Sequence, residues 1–319
     1  MRILIVKTSS MGDVIHALPL ASDLAAALPR VHIDWLVEES FAAIPAMSPH
    51  VARVRQVALR RWRRTLLTRT AWRELTAAQH AVEAAGYDWV LDVQGLLKSA
   101  WMARWAAAPV AGPASGSARE RWAALWYTRP VSVPRELHAV ERCRRIGAAV
   151  FGYDLDTPPR FDLSPPPSSR SDVLSPYAVL LVNASRATKL WPEERWLELE
   201  RWLATRAITS LLFWGTADEA ARAERLAPAM QRARVMPRAP LDAIAATLNG
   251  AAIVIGLDTG LTHLAAALGR PTIGIYCDYD PSLVGLVGAG PVASLGGVAD
   301  APTAEAVIAA AQAVLERGS

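Results

Sequence analysis

The chain is poor in cysteine. Cys143 and Cys277 are the only two in 319 residues, and they lie too far apart in the sequence for a metal or redox spacing. Both are expected to be unpaired thiols. The usual phosphate signatures are also missing. No GxGxxG follows the first apolar run, RILIV, and no P-loop Lys-Ser/Thr pattern occurs, so a dinucleotide enzyme or an ATPase loses its usual anchor. There is no GxSxG nucleophile elbow and no clustered His/Cys/Asp set for a metal. Mean hydropathy is high, at +0.18, yet the charge-free stretch Pro281–Ala299 is broken by Pro and several Gly and cannot make the apolar helix a bilayer requires. The opening MRILIVKTSS meets Lys7 before a signal-peptide core could form, which predicts a cytoplasmic protein.

What is present suits a globular protein of two ordinary domains: 52% hydrophobic and 20% charged residues in a chain long enough for two cores. The first half alternates strand-like runs (RILIV, HIDWLV, DWVLDV) with alanine-rich helical stretches such as Leu18 to Leu28. The segment FDLSPPPSSRSDVLSP, residues 161 to 176, supports neither helix nor strand and reads as a linker. A second rhythm follows, with strands YAVLLV, ITSLLFW, AIVIGL and PTIGIY and helices over Glu193 to Ala207 and Leu241 to Leu248. Val307, Ile308, Ala311, Val314 and Leu315 fall at helical spacing, so an amphipathic helix closes the chain. The expectation is an α/β protein of two Rossmann-like domains, residues 1–165 and 166–319, with the last helix packing back on the first.

In open parallel sheets ligands bind beyond the carboxyl ends of the strands. The turns there read KTSSMGD, DVQGLLKS, NASRATK, WGTADE and GLDTGLTH, and would converge on one cleft if the domains face each other. In GLDTGLTHLAAALG, glycines permit close backbone approach, Thr259 and Thr262 offer hydroxyls, and a helix start offers N–H groups, which suits a diphosphate. Asp258 would repel that anion, so it is read as fixing the loop through Thr262 or backbone N–H. His263 could donate to a phosphate oxygen or be a structural partner. Lys189 could balance charge on a leaving diphosphate or be a surface lysine. Glu219 could hold a ribose diol or only favour the next helix's first turn. Asp13 is odd in a strand-to-helix turn: it is a helix cap, or the turn faces something other than phosphate. ALRRWRRTLLTRTAWR concentrates Arg60, Arg61, Arg63 and Arg64 around Trp62, as an anion-binding patch or a solvated helix face.

KTSSMGDVIHALP, DVQGLLKSA, SRATKLWPEERW and GLDTGLTHLAAALGRPTIGIY with DPSLVG resemble the lipopolysaccharide heptosyltransferases of glycosyltransferase family 9 over nearly the whole chain. The resemblance implies a GT-B fold, two Rossmann-like domains facing a central cleft, the first binding acceptor and the second the ADP-sugar. It implies inverting transfer of L-glycero-D-manno-heptose from ADP-heptose to Kdo of Kdo2-lipid A. Asp13 would be the base. Ser185, Lys189, Thr259, Gly260 and His263 would contact phosphate or sugar, Glu219 the ribose, and the backbone near Ala239 the adenine, with Asp258 in the donor loop. No cofactor and no metal are implied. An acidic, lipid-anchored acceptor points to Arg60, Arg61, Arg63, Arg64 and Lys98 as its contacts, with Trp62 at the headgroup level and the protein peripheral on the cytoplasmic face of the inner membrane. A transferase adding a later heptose and a non-catalytic nucleotide-sugar sensor are the alternatives. A nucleic-acid reader is not expected, since no aromatic stacking platform accompanies the pI of about 9.3. Ala184 stands where related enzymes can show Thr, and Cys277 and Tyr279 interrupt a usually small-residue stretch.

Overall fold

A computed structural model describes residues 1–65, 68–167 and 176–318. The chain divides into two compact units, Met1–Asp162 and Leu163–Ser319. Unit 1 contains β1 (Arg2–Val6), α1 (Met11–Ala27), β2 (His32–Glu38), α2 (Ala43–Ala46), β3 (Val51–Val57), α3 (Leu59–Arg64), α4 (Arg69–Glu83), β4 (Trp89–Asp92), α5 (Leu97–Ala103), β5 (Val110–Pro113), β6 (Arg129–Val131) and α6 (Ala139–Phe151). Unit 2 contains β7 (Tyr177–Leu181), α7 (Glu193–Thr205), β8 (Thr209–Leu212), α8 (Ala217–Leu226), β9 (Ala233–Val235), α9 (Leu241–Asn249), β10 (Ile253–Leu257), α10 (Gly260–Ala267), β11 (Thr272–Tyr276), β12 (Val292–Gly296) and α11 (Ala304–Gly318). Of the expected linker, residues 161–167 form neither helix nor strand, and 168–175 lie outside the described residues.

Both sheets are six-stranded and wholly parallel. Their orders are β3-β2-β1-β4-β5-β6 and β12-β11-β10-β7-β8-β9. Numbered within its own unit, the second order is the first one again, and both are the doubly wound Rossmann arrangement. The central strands read as unbroken apolar runs because helices cover both faces of a parallel sheet. Ile3, Leu4, Ile5 and Val6 of β1 and Ile253, Val254 and Ile255 of β10 have no exposed surface. Each such side chain contributes roughly 1.5–3 kcal/mol by leaving water.

In unit 2, Trp191 and Trp196 meet edge to face at 4.9 Å, and the Trp191 indole donates to Pro302 O at 2.8 Å. The final helix lies against α7 and the β11–β12 edge, with Val307, Ala311 and Val314 in that core. α1 begins at Met11, seven residues before the expected start, and carries Pro19 inside it. Ser10, Asp13 and the first helical turn are therefore one structural piece.

Candidate active site

In each unit the order of strands reverses between two neighbours, β1 and β4 in the first, β7 and β10 in the second. Crevices for ligands open at the carboxyl ends of such pairs. Four of the five polar turns picked out in the sequence sit there, and the fifth, WGTADE, follows β8, the next strand beside β7.

Where β1 and β4 lie side by side, their two turns are laced together. Lys7 is buried and donates from Nζ to Val93 O at 2.9 Å. Gln94 accepts at Oε1 from Thr8 N (2.7 Å) and Thr8 Oγ1 (2.8 Å), and donates from Nε2 to Ser9 O at 2.6 Å. Gln94 is itself held by Asp92, whose Oδ1 accepts from Gln94 N at 2.9 Å while Oδ2 accepts from Ser99 Oγ and Tyr127 OH, each at 2.8 Å. Gly95 has φ +70°, and a side chain there would press within 2.9 Å of Pro113. Burial pushes the Asp92 carboxyl up, while these four donors oppose the shift, Gly95 N being the fourth. Neither Asp92 nor Gln94 stood out in the sequence, because neither looked like chemistry. Their signal was the turn itself, DVQG after a buried strand.

Asp13 occupies the first turn of α1. Its Oδ2 accepts from Ser10 N at 3.0 Å and Ser10 Oγ at 2.9 Å, and Arg119 Nη1 stands 3.5 Å away. The capping reading of this residue is thus part of its geometry. Burial raises its pKa, but the Lys7 charge, the Ser10 N–H, the Arg119 charge and the Ser10 hydroxyl together outweigh burial and hold it at about 2. At neutral pH it is a carboxylate able to accept a proton. Lys98 is exposed on α5, with Nζ 3.4 Å from Ser9 Oγ.

The arginine segment differs from its expected picture. Trp62 does not face outward: only 6% of it is exposed, and its indole donates to Glu74 Oε2 at 2.7 Å. Helical spacing explains this, because one position of α3 must face the core and the apolar one does so. Arg61 bridges Glu39 (3.1 Å) and Glu74 (2.7 Å). Arg60 lies over the Phe41 ring at 5.2 Å. Among the described residues no carboxylate pairs with Arg60, Arg63 or Arg64, all exposed.

Where β7 and β10 lie side by side, the turn after β10 starts α10. Lys189 Nζ forms an ion pair with Asp258 Oδ2 and reaches Asp258 O at 3.4 Å, and His263 Nε2 lies 3.4 Å from Asp258 Oδ1. Burial raises the Asp258 pKa, but the His263 and Lys189 contacts overcome it and hold the group at about 2. Asp258 therefore fixes the loop through Lys189 and His263 rather than through Thr262. The Thr262 hydroxyl instead donates to Leu257 O at 2.6 Å and lies 3.2 Å from Thr259 Oγ1. Thr259 is the N-cap of α10 and Gly260 its first residue.

Around this centre, Ser185 is exposed on the turn after β7. That turn is fastened to Asp278 through Thr188 Oγ1 (2.6 Å) and Arg186 Nη2 (3.4 Å), a partner the sequence did not suggest. Glu219 caps α8, its Oε2 accepting from Gly215 N at 2.7 Å and Thr216 N at 3.2 Å. Ala239 is half-buried in the connection from β9 to α9, which the Trp214 indole steadies by donating to Met236 O at 2.7 Å. Among the described residues no group of three or more His, Cys, Asp or Glu is placed to hold a metal ion.

Two doubly wound units, one offering a carboxylate at its switch point and the other a lysine beside a threonine-capped helix start, define a glycosyltransferase of the GT-B class. Residues 75–307 match the family model for glycosyltransferase family 9 (heptosyltransferase). Lipopolysaccharide heptosyltransferase 1 of Pseudomonas aeruginosa is 43% identical over 293 residues, 90% of this chain and 82% of that one. The solved E. coli heptosyltransferase WaaC with ADP superposes with a TM-score of 0.89 at 40% identity, covering 100% of both chains. The same enzyme with ADP-2-deoxy-2-fluoro heptose gives 0.84 at 39% identity over 96% of this chain and 98% of that one. The chain belongs to glycosyltransferase family 9, the heptosyltransferases.

Proposed function

We propose that this protein transfers L-glycero-D-manno-heptose from ADP-heptose to Kdo of Kdo2-lipid A, with inversion, in assembly of the lipopolysaccharide inner core. The observation that carries the reading is the Lys189–Asp258–His263 constellation at the switch point of unit 2. An end-to-end structural neighbour holds ADP, and the same neighbour has been solved with a fluorinated ADP-heptose.

In this reading the donor diphosphate lies at the start of α10, where Thr259, Gly260 and the helix N-terminus meet it, with Ser185 and His263 as further contacts. Lys189 shares its charge between Asp258 and the diphosphate and stabilises the leaving ADP. Glu219 reaches the ribose with the carboxyl that also caps α8, and the backbone near Ala239 flanks adenine. Asp13 removes the proton from the attacking Kdo hydroxyl. The new bond joins that oxygen to the anomeric carbon, the bond from that carbon to the diphosphate oxygen breaks on the opposite face, and ADP departs with the electron pair. A carboxylate of pKa about 2 is a weak base at rest, so acceptor binding must loosen its Ser10 and Arg119 contacts to strengthen it. The acceptor's acidic groups are met by Arg60, Arg63, Arg64 and Lys98, with Arg61 bracing α3. Positive charge from Lys189 and the helix start serves where other enzymes use a cation, and the enzyme acts peripherally at the cytoplasmic face of the inner membrane.

The test measures ADP release from ADP-heptose with and without Kdo2-lipid A, before and after EDTA. Release that needs the acceptor and survives EDTA is expected. Release only with an already heptosylated acceptor would move the protein to a later step, metal-reversible loss would sink the metal-free scheme, and no release with either acceptor would overturn the reading.

A further inference from the structure

Nine large apolar side chains are well exposed among the described residues, and five of them lie between Leu97 and Trp126: Leu97, Trp101, Trp122, Leu125 and Trp126. They come from two elements that pack side by side, α5 and the short 3-10 helix Arg121–Trp126. Glu120, just before that helix, locks the pair together: its carboxylate accepts from Leu97 N at 2.6 Å, and its own N–H donates to Gly95 O at 3.0 Å. The exposure is selective. Ala123, Ala124 and Tyr127 of the same stretch are buried, whereas Trp122 is 56% and Leu125 77% exposed. Inward positions already fill the core, so the outward Trp and Leu are surplus to folding. A clustered apolar face of this kind marks an interaction surface.

Its charges select the partner. Between Leu97 and Trp126 the cations are Lys98, Arg104, Arg119 and Arg121, all exposed, and the single acid is Glu120, already occupied by Leu97 N. The Arg121 guanidinium lies over the Trp122 ring at 4.6 Å. Indoles mixed with arginines are the composition that settles at the boundary of a bilayer, rings among the headgroups and cations on the phosphates. The face also adjoins the candidate base, since Arg119 reaches Asp13 at 3.5 Å and Lys98 reaches Ser9 at 3.4 Å. We infer that the face shared by α5 and the 3-10 helix docks the enzyme on an anionic membrane surface, with Trp122 and Leu125 entering the interface and Lys98, Arg104, Arg119 and Arg121 contacting lipid phosphates.

Lipid is thereby held beside the turn that bears Asp13, where a lipid-anchored sugar presents its hydroxyl. No helix of the described residues is long and apolar enough to cross a membrane, so this is surface docking. The inference rests on the lipid-anchored acceptor of the proposed reaction, and the vesicle binding that decides it is measured without substrate, so the two can fail separately.

The experiment is cosedimentation of the full-length protein with vesicles of phosphatidylethanolamine and phosphatidylglycerol. The parent should bind, and binding should weaken with added salt or when phosphatidylglycerol is left out. Trp122→Ser with Leu125→Ser should bind roughly tenfold more weakly or worse, while Val298→Ser, exposed in unit 2, should match the parent. Should the double variant melt early by circular dichroism, Leu125→Ser alone must still weaken binding several-fold. Turnover of both variants on a delipidated Kdo acceptor should equal that of the parent. A parent that ignores vesicles, unchanged binding by Leu125→Ser, or equal loss in Val298→Ser overturns the inference. So does a concentration-dependent dimer, seen by light scattering, that the double variant abolishes, since the face would then belong to a second copy.

Discussion

Asp13 accepts two bonds from Ser10 as part of a helix start, and in the proposed reaction the same carboxyl group would also serve as the base. Asn separates the roles, because an amide oxygen accepts a capping bond nearly as well but takes no proton. Asp13→Asn should therefore keep the fold and the ADP-heptose affinity, at the cost of the stability its charge contributes at neutral pH, while turnover falls by roughly 10² or more. Near-normal turnover would reduce Asp13 to a cap. A second consequence concerns acid. Asp13 and Asp258 are both held at about 2, below the ordinary value of 3.8. Carboxyls depressed by folding add stability that is complete above their unfolded pKa and fades as pH drops through the folded one. Stability to urea should thus be level above about pH 4 and fall between about pH 4 and pH 2, by on the order of a few kcal/mol for the pair. Asp258→Asn should flatten that limb, and an unaltered profile in this variant would contradict the assigned pairing.

At the level of elements, the seam between β1 and β4 depends on Gln94. Gln94→Ala removes the bonds to Thr8 and Ser9 that hold the turn leading into Asp13, without altering the Asp13 carboxyl itself. Expected is a fall in kcat of about tenfold or more with little change in donor KM, since a displaced base costs orientation rather than binding. Equal changes in both would mean only general loosening. On α3, Arg61 is tied to two glutamates, so charge for an acceptor must come from its neighbours. Replacing Arg60, Arg63 and Arg64 by Gln should raise the acceptor KM and shrink its salt dependence, with the ADP-heptose KM steady. An unmoved acceptor KM would pass the role to Lys98.

The central strands β1, β2, β4, β7, β8, β10 and β11 were legible because burial on both faces leaves mainly apolar runs, whereas β5, equally central, is only VAGP and too short and Gly/Pro-ended to read as a strand. β3, β6, β9 and β12 sit at the sheet edges, and VARVRQV or RPV carries no such run because one side stays wet. Pro19 hid the first half of α1. The site was legible where charge or a glycine-rich turn marked it. It was illegible where a residue acts by holding a loop, as Asp92, Gln94 and Asp278 do, since amide and carboxyl partners from distant turns leave no local pattern.

For the molecule as a whole, each unit has its own sheet and its own buried cluster. A ligand stabilises whatever folded structure binds it. ADP should accordingly raise one of two calorimetric transitions, that of unit 2, and leave the other in place, whereas a single transition shifted entire would show the units unfolding together. The repeated strand order has a further consequence, in time rather than in space. The seams at the candidate site join distant stretches of chain: Thr8 meets Gln94 across 86 positions, and Lys189 meets Asp258 across 69. Ring closure over such spans is the slow, entropically expensive part of assembling a parallel sheet. On the ribosome, the Asp13 turn waits unformed until DVQG has been made, and the Lys189 turn waits for GLDTG. Refolded protein should regain ADP binding only with the last phase of β-structure, so that catalytic competence reports the completion of the fold.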